Sequence, residues 1–271
     1  MKKFLLAILL IPLGLTCSEH IQPMPPPVKV VSLSPTVTQL ILYLDGADRL
    51  CGRSSACYFP EVSHLPVVGD MGRPFPEAIL QSRAGLIISD ARHPGANWRI
   101  FRRCGVQVEF PDTGNIDSLP ANLRKLGKLL QLPGAEKKAD EVAGKLAQLR
   151  GQDNGERIKG VILFGTAPLI TCGKDSFISG AMELAGVENI AADAGNGYFI
   201  LSPEFLHREN PGVIIIVGVP ENIVRHDLRS GLLASLPAVR QDRVIFVDGD
   251  RWSKLTPEII DAAADLRRQL W

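Results

Sequence analysis

Apolar residues in this chain gather in short runs, and segments with apolar positions at helical spacing lie between them. The runs fall at residues 28–33, 85–89, 106–110, 160–164, 213–217 and 243–247. Bounded by turn residues, such runs suit strands of a parallel sheet covered on both faces. A further short strand is expected at 50–52. The helical segments are 36–44, 77–82, 98–104, 177–185, 204–208 and 257–270. Ser34 and Pro35 supply an N-cap and a first helical position, and Gly186 supplies a C-cap. Residues 53–76 are rich in turn formers and read as irregular. Alternating strands and helices predict an α/β fold with parallel sheets.

One helix–strand unit is written twice. Pro76-Glu77-Ala78-Ile79 runs on to Ala84-Gly85-Leu86-Ile87-Ile88, and Pro203-Glu204-Phe205-Leu206 runs on to Pro211-Gly212-Val213-Ile214-Ile215. The Pro-Glu pair and the Gly-hydrophobic pair keep the same offset of 127 residues. Proline favours the first helical position, and the carboxylate after it complements the helix dipole. The repeat implies two similar lobes, each offering one acidic residue at a helix start.

Between the two copies, 116–150 has no strand candidate. An amphipathic helix is expected over 119–132, and a second over 135–150 after Pro133-Gly134. The second would span roughly 24 Å at 1.5 Å per residue, enough to bridge two lobes. The expected division is a signal peptide over 1–17, a tether over 18–27, an N-terminal lobe over 28–118, a helical connector over 119–155 and a C-terminal lobe over 156–271. The class is two Rossmann-like lobes with parallel sheets joined by one long helix.

Composition narrows the function. Apolar residues make up 45% of the 271 and charged residues 22%, as expected of a chain with a real core. The formal net charge of +1 gives no global field for nucleic acid or an anionic membrane. Met1-Lys2-Lys3 and the apolar run 4–15 read as an export signal too short to span a membrane. Gly14-Leu15-Thr16-Cys17 resembles a bacterial lipobox, which favours lipidation at Cys17 over ordinary cleavage. Cys51, Cys57, Cys104 and Cys172 allow three full disulfide pairings, with buried thiols the plainer reading. No His/Cys cluster has zinc spacing. No GxSxG, GxGxxG, P-loop or HExxH motif appears, which leaves an exported α/β enzyme as a lesser alternative.

In sheets of this type ligands sit beyond the carboxyl ends of the strands. The loops expected there are Ser34-Pro35, 54–58, 70–73, 90–93, 166–174, 197–200 and 250–252. Two lobes facing one another through these loops would enclose a cleft. Its candidate aromatic residues are Tyr58, Phe59, Tyr198, Phe199 and Trp252. Aromatic walls suit a large flat ligand. Asp250 is placed to accept hydrogen bonds from ligand amides. Arg53, Arg73, Arg92, Lys174 and Arg251 would favour an anionic ligand instead, and His93 is a candidate axial ligand for a metal centre.

The order of several motifs resembles the ABC-transporter substrate-binding proteins for vitamin B12, ferric siderophores and haem. The matching stretches are Val30-Val31-Ser32-Leu33-Ser34-Pro35-Thr36-Val37-Thr38-Gln39-Leu40, Ser54-Ser55-Ala56-Cys57-Tyr58-Phe59-Pro60 and Leu65-Pro66-Val67-Val68-Gly69. In the second half they are Thr171-Cys172-Gly173-Lys174-Asp175-Ser176-Phe177 and Leu184-Ala185-Gly186-Val187-Glu188-Asn189-Ile190. The resemblance implies two α/β lobes on one rigid helix, capture of a bulky ligand outside the inner membrane, and delivery to a dimeric permease. It gives Glu77 and Glu204 the role of docking to permease arginines. The pattern lies nearest the cobalamin binders, so cobalamin or a related corrinoid is the first ligand, with a ferric siderophore or haem as the alternative. Ala56 and Met71 depart from that pattern at positions where aromatic residues are expected.

The resemblance places Ser34, Pro35, Ala56, Cys57, Tyr58, Met71, Arg73, Arg92, Lys174, Tyr198, Asp250 and Trp252 at the ligand, with Cys57 and Cys172 facing the cleft from opposite lobes. No catalytic residue, resident metal or cofactor is expected; any metal belongs to the ligand. The expected location is the periplasm or the outer face of the cell membrane, with the membrane met only through a lipid anchor.

Overall fold

The computed structural model describes residues 28–91, 93–152, 155–230 and 232–271. The export signal, Cys17, the tether and Arg92 lie outside the described residues. Among the described residues, no helix is long and apolar enough to cross a membrane.

The first lobe runs β1 (Val30–Ser32), α1 (Pro35–Tyr43), β2 (Leu50–Ser54), β3 (Val67–Asp70), β4 (Arg73–Pro74), α2 (Pro76–Gln81), β5 (Leu86–Ile88), α3 (Trp98–Arg103) and β6 (Gln107–Glu109). Its sheet has the order β4-β3-β2-β1-β5-β6 and is parallel except for β4. Every residue of β1 and β5 is buried, as two covered faces require. Alternation along β1 and β5 sends Val31 and Ile87 to Ile79 and Phe101 on one face. It sends Val30, Leu86 and Ile88 to Leu40 and Leu123 on the other.

Two helices follow, α4 (Leu119–Leu130) and α5 (Ala135–Gly151). They pack as a close hairpin. A Cβ on Gly127 would lie 2.1 Å from that of Ala135, so only glycine fits this crossing. The first half of α5 is tied to the first lobe by Lys138, whose ammonium donates to Tyr43 O and Asp45, both at 2.6 Å.

The second lobe runs β7 (Ile158–Leu163), β8 (Ile170–Cys172), α6 (Phe177–Leu184), β9 (Val187–Asn189), β10 (Tyr198–Ile200), α7 (Pro203–Glu209), β11 (Val213–Val217), α8 (Glu221–Ser230), α9 (Pro237–Arg240), β12 (Val244–Val247), α10 (Gly249–Trp252) and α11 (Glu258–Leu270). Its main sheet is all parallel, in the order β12-β11-β7-β9, and β8 pairs with β10 antiparallel beside it. The second half of α5 reaches this lobe through Lys145, which donates to Asp261 of α11 at 2.9 Å. Both lobes feed one hydrophobic core, in which Val30 and Leu86, Ala139 and Leu146, and Ile162 and Ile215 belong to the same cluster.

The repeated unit is therefore α2–β5 in one lobe and α7–β11 in the other. Each repeat strand lies beside the first strand of its lobe, β5 on β1 and β11 on β7. Residues 53–76, expected to be irregular, instead carry β3 and β4. The strands β8, β9 and β10 also arise where no element was expected.

Candidate ligand cleft

A cleft of about 410 Å³ opens between the lobes. The first lobe contributes Pro35 and Thr36 at the start of α1, Ala56, Tyr58 and Phe59 after β2, Met71 in the β3–β4 turn, and Asp90 after β5. The second contributes Asp250, Ser253 and Lys254 from α10 and the residues following it. The cleft thus lies beyond the carboxyl ends of β1, β2, β3, β5 and β12, where a sheet of this kind binds ligands. Tyr58 is 85% exposed and Met71 57%, so two large side chains at the cleft keep most of their surface open.

Local chemistry holds these loops in place. Ser34 is the N-cap of α1, its hydroxyl accepting from Val37 N at 3.1 Å. The Asp70 carboxylate accepts from the Ser55 hydroxyl at 2.7 Å and from Met71 N at 2.8 Å, which fixes the turn carrying Met71 against the loop after β2. Those two donors hold its carboxyl below the usual range. Gly72 has φ +62°, and a Cβ there would lie 2.8 Å from that of Ala91, so glycine lets the Met71 turn and the Asp90 loop touch. Across the cleft, Asp248 caps α10 by accepting from Asp250 N and Arg251 N at 2.7 and 3.2 Å.

Each wall of the cleft carries a carboxylate, and the second also carries a lysine. Burial pushes the Asp90 carboxyl above its usual range, while hydrogen bonds from the Ser34 and Thr36 hydroxyls oppose the shift. Asp250 faces it from the second lobe and holds Lys254 at 3.1 Å. The Lys254 ammonium lies 5.4 Å from the centroid of the Phe59 ring, so it joins the two lobes by a cation–π contact.

The chain matches the family model described as periplasmic binding protein over residues 30–250. The chain belongs to the periplasmic binding protein family. This periplasmic binding protein is 27% identical over 250 residues to the vitamin B12-binding protein of Pectobacterium carotovorum subsp. carotovorum (strain PC1), covering 90% of this chain and 88% of that one. Its fold superposes on the periplasmic vitamin B12-binding protein BtuF of Vibrio cholerae with a TM-score of 0.79 and 25% identity, covering 90% and 97% of the two chains. It also superposes on the periplasmic haem-binding protein RhuT of Roseiflexus sp. RS-1 in apo form, with a TM-score of 0.76 and 25% identity over 89% and 97%. Two α/β lobes carried on a helical connector are the architecture expected from the sequence.

Several residues expected at the ligand of this periplasmic binding protein line its cleft: Pro35, Ala56, Tyr58, Met71 and Asp250. Others are placed elsewhere. Trp252 is 1% exposed and belongs to the core between α10 and α11. The helical period explains it: two residues after Asp250 the chain has turned about 200°, from the cleft to the interior. Cys57 is buried with its sulfur 3.2 Å from Thr38 Oγ1, because the turn at Ser54 folds the thiol down onto α1. Cys172 lies in β8 and is wholly buried, and burial pushes its thiol up to about 11. Neither sulfur faces the cleft, and all four described cysteines are free thiols. Ser34 is buried behind the wall rather than in it.

The expected cations that the structure describes lie outside the lining of this cleft. Lys174 pairs with Asp193 at 2.6 Å and borders a separate groove of about 660 Å³ beside Asp112, Asn115 and Asp175. Arg251 pairs with Asp265 at 2.7 Å, and Arg53 donates to Cys57 O at 3.0 Å. Arg73 is exposed on β4, outside the cleft lining. His93 is exposed and accepts from Gly95 N at 3.2 Å through Nδ1. Tyr198 is 55% exposed on β10 and meets Phe164 edge to face at 5.3 Å, on the second lobe but outside the cleft lining. Phe199 is half-buried against the second-lobe core.

Sequence reasoning left Thr36, Asp90, Ser253 and Lys254 off its list of ligand contacts. Two signals were available. Ser253 and Lys254 follow Asp250 at helical spacings of three and four, and Asp90 stands just past the carboxyl end of a buried strand. Among the described residues, no group of three His, Cys, Asp or Glu side chains is placed to hold a metal ion. Glu77 and Glu204 both sit exposed in the first turn of their helices, α2 and α7. Ser202 caps α7, and the Glu204 backbone N–H together with the Ser202 hydroxyl holds the Glu204 carboxyl below its usual range.

Proposed function

We propose that this substrate-binding component of an ABC importer captures cobalamin or a related corrinoid in the inter-lobe cleft and delivers it to a permease. The observation that carries the reading is the cleft wall: exposed Tyr58 and Met71 beside two carboxylates, Asp90 and Asp250, one from each lobe. A corrinoid offers a broad apolar ring with amide N–H groups around it. The ring would lie against the aromatic and thioether surface at the mouth, and the amides would donate to the carboxylates. The similarity to vitamin B12-binding proteins supports the same ligand. Haem or a ferric siderophore is the alternative, supported by the likeness to a haem-binding protein. Haem propionates would meet like charge at Asp90, whereas Lys254 offsets Asp250 on the other wall.

The remaining parts of the reading follow. The chain acts outside the inner membrane, exported by its N-terminal signal and held by lipid at Cys17. Glu77 and Glu204 dock to guanidinium groups of the permease, one per lobe. Binding without turnover is its whole task. Titration of the purified protein with cyanocobalamin, haem and a ferric siderophore in a calorimeter tests the ligand. Saturable one-to-one binding of cobalamin supports the reading, and binding of haem or siderophore in its place overturns it.

A further inference from the structure

Asp90 is an unusual residue to find on the floor of a partly apolar cleft. A carboxylate out of water costs free energy unless donors surround it. The protein supplies three, the hydroxyls of Ser34 and Thr36 and the backbone N–H of Asp90 itself. The Ser34 oxygen already accepts from Val37 N, which leaves its proton to Asp90. An ionised carboxylate has about four lone-pair sites, so these three donors leave acceptor capacity unused. Among the described residues of its own lobe, those that line the cleft with Asp90 are uncharged, Pro35, Ala56, Phe59 and Met71 among them. Opposite, the Lys254 ammonium is engaged by Asp250 and by the Phe59 ring. The Asp90 carboxylate lines the cleft and so keeps acceptor capacity that a donor entering the cleft can fill.

We propose that Asp90 is a specificity-determining residue that accepts hydrogen bonds from amide N–H groups of the ligand and rejects ligands presenting a carboxylate at that place. The proposal rests on the corrinoid reading and sharpens it. It predicts discrimination between a corrinoid whose peripheral groups are all amides and the same corrinoid with one amide hydrolysed to the acid.

The test uses the purified protein and Asp90→Asn, with cyanocobalamin and its separated monocarboxylic acid derivatives as ligands. Asparagine keeps the shape and one acceptor oxygen but carries no charge. The wild type is expected to prefer cyanocobalamin over at least one monoacid by about tenfold or more, the size of one charge-assisted hydrogen bond. Asp90→Asn is expected to bind cyanocobalamin more weakly and to shrink that preference to within about twofold, with an unchanged circular dichroism spectrum. A preference that stays the same in Asp90→Asn overturns the assignment of Asp90 while leaving the corrinoid reading in place. Equal binding of amide and acid forms by the wild type overturns it without need of the variant. Failure of the wild type to bind cyanocobalamin at all overturns the corrinoid reading and the proposal with it.

Discussion

Replacing Trp252 with alanine separates a core residue from a ligand contact. Its neighbours in sequence, Asp250 and Ser253, line the cleft, yet Trp252 itself is 1% exposed and packs in the core between α10 and α11. Removing a buried indole forfeits its transfer free energy and leaves a cavity, together worth about 3–5 kcal/mol. For a chain of this size, 1 kcal/mol moves the melting temperature by about 2–4 °C, so Trp252→Ala should lower it by about 6–20 °C. Both lobes share one core, so the loss should appear as a shift of a single cooperative transition. Urea unfolding followed by far-ultraviolet circular dichroism measures it, and calorimetry at low temperature measures ligand affinity on the folded fraction. Trp252→Phe should fall between the two. A destabilisation under about 1 kcal/mol, coupled to a large loss of affinity, would put the indole in the cleft and refute the placement.

Three further outcomes are expected. Charge reversal of Glu77 and Glu204 together, both exposed and outside the cleft lining, should abolish uptake in cells while leaving the affinity of the purified protein unchanged; lost affinity would contradict the docking role. Among the four described cysteines, iodoacetamide should label the exposed Cys104 rapidly in the native protein and spare the buried Cys57 and Cys172 until unfolding, as mass spectrometry would show. The Asp90 carboxyl is raised above its ordinary 3.8 on folding, so between that value and its folded one the native state binds more protons than the unfolded state. Stability contributed there is gained as pH falls and lost as pH rises through the folded value. Urea midpoints should show Asp90→Asn flattening that part of the pH profile, and an unchanged profile would show that the group does not titrate differently on folding.

The lobes were legible because hydrophobic runs and caps are local signals. Ser34-Pro35 and Pro203-Glu204 begin helices, and the runs at 85–89 and 213–217 contain β5 and β11. What escaped was short or masked by turn chemistry. β3 ends in Gly69-Asp70, and β8, β9 and β10 are three residues each, held by neighbours rather than by their own propensity. α8 buries Val224 and Leu228 at a helical spacing of four, but charged residues stand between them in the sequence. At the site, loop membership was a coarse guide. It brought in Tyr58, Met71 and Asp250, but it also brought in Trp252 and Cys57, whose direction depends on helix phase and a tight turn. Cations were overcounted for the same reason, since the partners Asp193 and Asp265 of Lys174 and Arg251 come from other parts of the chain.

The central claim is that this cleft holds a corrinoid, and a direct calorimetric titration tests it most plainly. The purified protein should bind cyanocobalamin in a one-to-one, saturable isotherm, with binding weakened in Asp250→Ala and in Tyr58→Ala. No heat and no spectral change with cyanocobalamin, beside tight binding of haem to the same protein, would contradict the account.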